Sequence, residues 1–462
     1  MPPHDATWAA LPPQRRALPG AAFTLSLGAL LAGCPAPRSP SAAPVVAQTL
    51  EIGRAGAVLS GVAGDGATMF AALTSVPAAG TATSTTTSKT TSKTTIEALP
   101  AGAAPAWHTA LDGSGGPLAR SGPHVIAALG GTGTVAGLEL RGEPGAAVAA
   151  LDAATGAVVW TLAIDATEWS VIAALAATGD GVIVGGSFAG TLRIGASVVS
   201  SAGKTDGFVA RLTATGGVAW LVRVGGPGAD AIQGVAAAGD RIAIAGTFAP
   251  GADLLGQPLP AFDDRSPSAD GFVAELDGAG ARRWAQAFGG KADDAVAGVA
   301  IDAQGRIAVA GTARDTVHVG GADLVASGTA DGLVAWWTPG GGAGAAVVLG
   351  GADFDGLRAI AAAGDHVVVA GFFSGAIRLG ARTLTAGGGD DAFLAELDAS
   401  GTVVQAWPVS GEGREEITAL GAIPGGFIAG IAHTAAARID AGTLPAPADP
   451  LSGAAVIVRP VH

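Results

Sequence analysis

The chain predicts an all-β fold, a seven-bladed β-propeller of four-stranded blades, on three observations. A third-strand landmark recurs as DGFVARL (206–212), DGFVAEL (270–276), DGLVAWW (331–337) and DAFLAEL (391–397), at spacings of 64, 61 and 60 residues. Looser copies, KTTIEAL (93–99), GAAVAAL (145–151) and GAAVIVR (453–459), bring it to seven. A second landmark interleaves with it: TMFAAL (68–73), HVIAAL (124–129), GVIVGG (181–186), RIAIAG (241–246), RIAVAG (306–311), HVVVAG (366–371) and GFIAGI (426–431). The third observation is that helix-length apolar periodicity is missing, while runs of four to eight apolar residues end in Gly-Asp and Asp-Gly turns.

Residues 1–33 read as a targeting segment. Arg15-Arg16 and then AAFTLSLGALL (21–31) give a positive region and an apolar stretch too short to span a bilayer. Leu31, Ala32, Gly33 and Cys34 follow, and Cys34 is the single cysteine of 462 residues. These four residues resemble a bacterial lipobox. The resemblance implies acylation of the Cys34 thiol, cleavage before it and export. The protein is then expected to be membrane-anchored at the cell envelope, on the outer membrane or the cell surface. Residues 34–44 are a Pro/Ser/Ala tether with nothing to bury.

The propeller is expected over 45–462. In the fourth unit the strands are AIQGVAAAG (231–239), RIAIAGTF (241–248), DGFVAELD (270–277) and ARRWAQAF (281–288). The last unit runs out after its third strand, and VVAQTLEIG (45–53) reads as its missing fourth, which would close the ring and bury an edge. TATSTTTSKTTSKTT (81–95) reads as a disordered or glycosylated loop. Trp107, Trp160, Trp220 and Trp284 open successive outer strands and are expected to pack blade against blade.

VRVGGPGAD (222–230) and QAFGGKADD (286–294), with the D-x-F-V-A-x-L strands, resemble the bacterial seven-bladed β-propeller repeat family over roughly 45–462. That resemblance implies a fold and no common reaction. LDAATGAVVW (151–160) alone also resembles the propeller repeat of quinoprotein dehydrogenases and of the barrel-assembly lipoprotein.

Chemistry is sparse in the sequence. A net charge of −13 argues against nucleic acid. The seven histidines are scattered without metal-ligand spacing, and there is no tyrosine. The G-x-G-x-x-A string at 131–136 falls where a strand exits to a loop. What remains is a series of carboxylates at repeat-equivalent places: Asp230, Asp294, Asp355 and Glu416 after the outer strands, and Asp206, Asp270, Asp331 and Asp391 at the third-strand starts. They are candidates for an acidic face that receives a basic partner or Ca²⁺, against a reading as plain turn residues. No other cofactor is expected. The expected role is a binding or scaffold module for a protein or glycan partner. Alternatives are outer-membrane barrel assembly or envelope maintenance, and a glycan lyase or hydrolase at the channel mouth.

Overall fold

A computed structural model describes residues 46–52, 57–65, 67–75, 92–100, 104–260, 262, 268–424, 426–439, 442–444, 446 and 453–458. Cys34, its lipobox, the 34–44 tether and residues 81–91 lie outside the described residues.

Antiparallel sheets stand around an axis, each entered from its inner strand. These inner strands are Ala57–Gly64, Ser114–Ser121, Trp169–Thr178, Ala231–Ala238, Ala295–Ile301, Gly356–Ala363 and Glu415–Ile423. The fourth sheet then steps outward through Arg241–Phe248, Asp270–Asp277 and Arg282–Gly290, and the others repeat this order. The last sheet takes its outer strand from the other end of the sequence: Val46–Ile52 pairs antiparallel with Gly453–Val458.

Second and third strands are buried on both faces, which explains their unbroken apolar runs. Val182, Ile183, Val184, Phe208, Val209 and Ala210 are all fully covered. At about 25 cal/mol per Å² of apolar surface removed from water, the contacts between sheets are the main favourable term. No sheet can hide both its faces alone.

Each inner strand carries a β-bulge against its second strand, at Leu59/Gly61, Gly115/Leu118, Ile172/Ala174, Ile232/Gly234, Val296/Gly298, Leu357/Ala359 and Ile417/Ala419. The extra residue increases twist and bends the strand where the sheets crowd the axis. Small residues are required there. A Cβ on Gly234 would come within 2.8 Å of the Val299 nitrogen on the next inner strand.

The expectation of a seven-bladed propeller built of four-stranded blades is corrected. Four of the sheets are six-stranded, because the segments between second and third strands contain hairpins that join the preceding sheet. Thr191–Ile194 with Ser197–Ser200 extends the outer strand Val158–Ala166. Thr316–Val319 with Ala322–Val325 extends Arg282–Gly290, and Ala376–Leu379 with Arg382–Thr385 extends Ala343–Gly351. Ala437–Ile439 with Gly442–Leu444 extends Val403–Gly411. The physical reason is the outer edge: its unpaired N–H and C=O groups are satisfied by a neighbour's loop. The 249–270 segment makes a smaller version, through single bridges from Asp253 to Gly225 and Pro258.

The 81–95 loop is also shorter than expected. Lys93–Pro100 is a strand, and the buried Thr94 hydroxyl lies 3.0 Å from Thr74 Oγ1 and donates to the Gly113 carbonyl at 2.8 Å.

Candidate functional site

Strand direction places two kinds of connection on one face: second-to-third-strand inserts and outer-to-inner-strand turns. The predicted acidic residues lie at the roots of both, and they occur in pairs. Asp206, Asp230, Asp270, Asp294, Asp331, Asp355 and Asp391 are each 2% exposed or less. They therefore do not form an exposed acidic face.

Their contacts explain the burial. Asp230 Oδ2 accepts from Gly226 N–H at 2.7 Å and Oδ1 from Ala249 N–H at 2.9 Å. Asp355 accepts likewise from Gly351 N–H at 2.6 Å and Ser374 N–H at 3.2 Å. Asp294 accepts from Arg314 N–H at 3.1 Å, and Asp270 from Gly290 N–H at 3.3 Å. The other members hold the returning end of the insert: Asp206 accepts from Ala202 N–H, Asp331 from Ser327 N–H, and Asp391 from Gly387 N–H at 2.9 Å. A pair thus ties an outer strand and the turn after it to the returning end of one unit's insert and the outgoing end of the next unit's insert.

The Gly-Gly at 225–226, 289–290 and 350–351, which precedes three of the four acidic turns, follows from this packing; the fourth has Ser410-Gly411. A Cβ on Gly225 would fall 2.1 Å from Asp206 Oδ1, and one on Gly289 2.1 Å from Asp270 Oδ1. At these two glycines the carboxylate occupies the space a side chain would take.

Glu416 is corrected to Glu415. Glu416 is half-buried, whereas Glu415 is 1% exposed and stands opposite Asp391. Counting residues from the glycine that ends the outer strand would have found it: Glu415 follows Gly411 by four residues, as Asp230 follows Gly226 and Asp355 follows Gly351.

Several of these oxygens meet no protein donor among the described residues: Asp294 Oδ2, Asp331 Oδ1, Asp391 Oδ1 and both Glu415 oxygens. A proton held on one member of the pair is the simplest donor that satisfies them. Burial, aided by the Asp270 and Asp293 charges, pushes Asp294 up to about 7. Burial with Asp331 and Asp353 takes Asp355 to about 6. Burial and the facing Asp391 carry Glu415 to about 7, and Asp391 is itself raised, chiefly by burial. Asp230 is raised too, again mainly by burial, with Asp206 adding to the effect and Arg223 opposing it. No group of three or more His, Cys, Asp or Glu that would hold a metal occurs among the described residues. Two carboxylates already spent on backbone amides suit a calcium ion poorly, since it takes six to eight oxygens.

The opposite face is stitched by arginines. Arg241 reaches Glu275 with two hydrogen bonds, at 2.8 and 2.6 Å, and the Gly305 carbonyl of the next sheet at 2.6 Å. Burial pushes Glu275 up, but Arg241 and Arg283 together hold it below the usual range. Arg211 binds the Gly278 carbonyl and Arg306 the Asp365 carbonyl, each across a sheet boundary.

The tryptophans lie between sheets, as expected. Trp107, Trp160, Trp220 and Trp284 donate their indole N–H to the carbonyls of Ala153, Ala214, Gly278 and Pro339, in the third-to-outer turns of the following sheets. The turn glycines Gly156, Gly216, Gly280 and Gly341, at φ of 74° to 84°, lie against the rings.

The axial channel, about 360 Å³, is walled by every inner strand. Val62, Leu118, Leu175 and their counterparts round to Leu420 form an aliphatic ring, with mostly Ala and Gly on either side. Arg120 is the one charged residue in that wall among the described residues; it lies 3.8 Å from Asp65.

A smaller cavity of about 90 Å³ opens on the insert-bearing face. It is lined by Phe354, Phe372, Arg358, Arg414, Asp390, Glu415 and Glu416. Phe354 is 43% exposed and its ring centroid is 5.4 Å from that of Phe372. The Arg358 guanidinium lies 4.7 Å over the Phe372 ring and Arg314 6.0 Å over Phe354. Sequence reasoning missed this group. The available signal was departure from the repeat: where this unit has Phe354, Arg358 and Phe372, the fourth unit has Ala229, Gln233 and Thr247, and the fifth Asp293, Ala297 and Thr312.

No family model matches the chain, and no curated protein does. Similar solved structures include BamB from Moraxella catarrhalis, 15% identical with a TM-score of 0.42, covering 87% of this chain and 85% of that one. A europium-containing methanol dehydrogenase is 12% identical with a TM-score of 0.33, covering 84% and 85%. The β-propeller domain of the Trilobed protease from Pyrococcus furiosus is 9% identical with a TM-score of 0.44, covering 86% and 96%. These neighbours include enzymes, and the likeness assigns no site, partner or reaction to this chain.

Proposed function

We propose that the protein is an envelope-tethered binding module, held to a membrane through Cys34, whose insert-bearing face receives a partner protein. One observation carries the reading. The carboxylates best placed for acid–base work are sealed between sheets, the channel wall is aliphatic, and the exposed polar and aromatic variety gathers on one face. A glycan lyase or hydrolase needs an acid and a base that substrate can touch, and these pairs are covered. Varied connections on a rigid ring are the usual way such a fold makes a recognition surface.

The test has two arms. Cys34→Ser should release the protein from the membrane fraction, and an unchanged distribution would remove the anchor from the reading. A photo-crosslinking residue at Phe354 in intact cells should give a discrete protein adduct that the same residue at Val159, an exposed position beside a third-to-outer turn at the opposite end of the sheets, does not. Identical or empty patterns at both positions would refute a partner-binding face.

A further inference from the structure

We propose that the cavity beside Phe354 is an acceptor for a carboxylate side chain, and that the partner contributes it from a short acidic segment next to an aromatic or aliphatic residue. This rests on the binding-module reading and names the chemistry of its contact. The protein as a whole is acidic, with 25 Lys and Arg against 38 Asp and Glu. Here, however, Arg358 and Arg414 share one cavity wall, and Arg314 lies over the adjoining Phe354. None of the three guanidinium groups has an ion pair among the described residues. Arg211, Arg241, Arg283 and Arg306, on the opposite face, each pair with a carboxylate. Those arginines are structural. Near Phe354, Arg358 and Arg314 lie over the Phe372 and Phe354 rings and the exposed Arg414 lines the cavity, which leaves their N–H edges open to an incoming anion.

Size and charge select the occupant. About 90 Å³ is well below the several hundred typical of a site for a whole small molecule, but it admits a side chain. A planar guanidinium presents its donors in a fork that matches a carboxylate. Asp390, Glu415 and Glu416 on the same wall disfavour a second anion close to the first. A polyanion such as nucleic acid or a sulfated glycan would meet them and the net charge of −13. A single carboxylate set beside a hydrophobic group meets the arginines and the exposed Phe354 ring instead.

The test uses the full chain, labelled, on an array of randomised decapeptides at 50 mM and 500 mM NaCl. Bound peptides should be enriched in Asp or Glu adjacent to an aromatic or aliphatic residue, with weaker binding at high salt. For the tightest such peptide, Arg358→Ala and Arg414→Ala should each raise Kd about tenfold or more, which is roughly 1.4 kcal/mol. Phe354→Ala should raise it severalfold, while Arg211→Ala leaves it unchanged. Phe354, Arg358 and Arg414 are exposed, so those variants should melt with the parent, whereas Arg211→Ala gives up a bond to the Gly278 carbonyl; melting curves confirm that every variant is folded at the assay temperature. Enrichment in Lys or Arg, acidic enrichment that survives both cavity-arginine variants, or equal competition by heparin would each overturn the proposal. An in-cell adduct at Phe354 that persists in Arg358→Ala with Arg414→Ala would refute the carboxylate site while leaving the binding-module reading intact.

Discussion

At the residue scale, the acidic side chains that attract attention in the sequence serve the fold. Asp230, Asp294 and Asp355 occupy turns, as their residue type suggests, but they are buried and hold backbone amides from two sheets. Glu415, with two buried oxygens lacking a protein donor and with Asp391 opposite, is the most costly of the set when ionised. Glu415→Gln supplies an N–H donor and removes the facing charge. It should stabilise the protein at pH 8 by roughly 2 kcal/mol, and leave it nearly unchanged at pH 5, where the parent carries the proton already. Denaturant melts at the two pH values check this, and equal shifts at both would show a packing effect instead. Gly289→Ala should do the opposite, because its Cβ would displace the Asp270 carboxylate. A loss of about 2 kcal/mol or more at every pH is expected. The acidic positions were legible in the sequence and their burial was not, since a turn Asp and an inter-sheet Asp have the same one-dimensional context.

At the element scale, the shared feature is the junction where an outer strand, a hairpin from the next unit and an acid pair meet. Those hairpins were hidden because each arm is only three or four residues long and alternates polar with apolar, as in Thr-Val-His-Val (316–319). The strand signal weakens at that length, although Gly320-Gly321 marks the turn. The junction gives the ring a pH dependence whose sign follows from linkage. Asp294, Asp355 and Glu415 have folded values of about 6 to 7, above those of an unfolded carboxylate. Their favourable contribution is complete below about pH 4 and is lost as pH rises through about 7. Asp398 and Glu275 are lowered in the folded state, so their contribution is present above about pH 4 and lost below it. The melting temperature should therefore peak in mildly acidic solution and fall toward pH 8. In Asp294→Asn with Glu415→Gln the decline between pH 5 and 8 should flatten. A parent curve flat from pH 5 to 8 would rule out proton-holding junctions.

At the scale of the whole molecule, the two interleaved landmarks made the radial arrangement readable because the repeat is imposed by packing. Every sheet must present the same small and apolar residues to its neighbours, so the pattern recurs wherever the sheet does. Function follows the contrary rule. Phe354, Arg358 and Phe372 stand out because they break that pattern in one unit, and a search for recurrence passes over them. Closure was also readable, and it sets a test of how the ring holds together. Val46–Ile52 pairs with Gly453–Val458, so the last sheet is assembled from both ends of the chain. The acid pairs and hairpins link one sheet to the next by local contacts in sequence, but this strand pairing joins residues some four hundred positions apart. Deleting 45–54 would expose the edge of Gly453–Val458 and open the ring at a boundary no hairpin covers among the described residues. The variant should unfold at lower temperature, lose cooperativity and aggregate through the bare edge. A synthetic peptide of residues 45–54 added in excess should restore part of the lost stability, in proportion to its concentration. If the deletion variant melts in one transition at the parent temperature, the sheets are held by their neighbours alone and the terminal strand is dispensable.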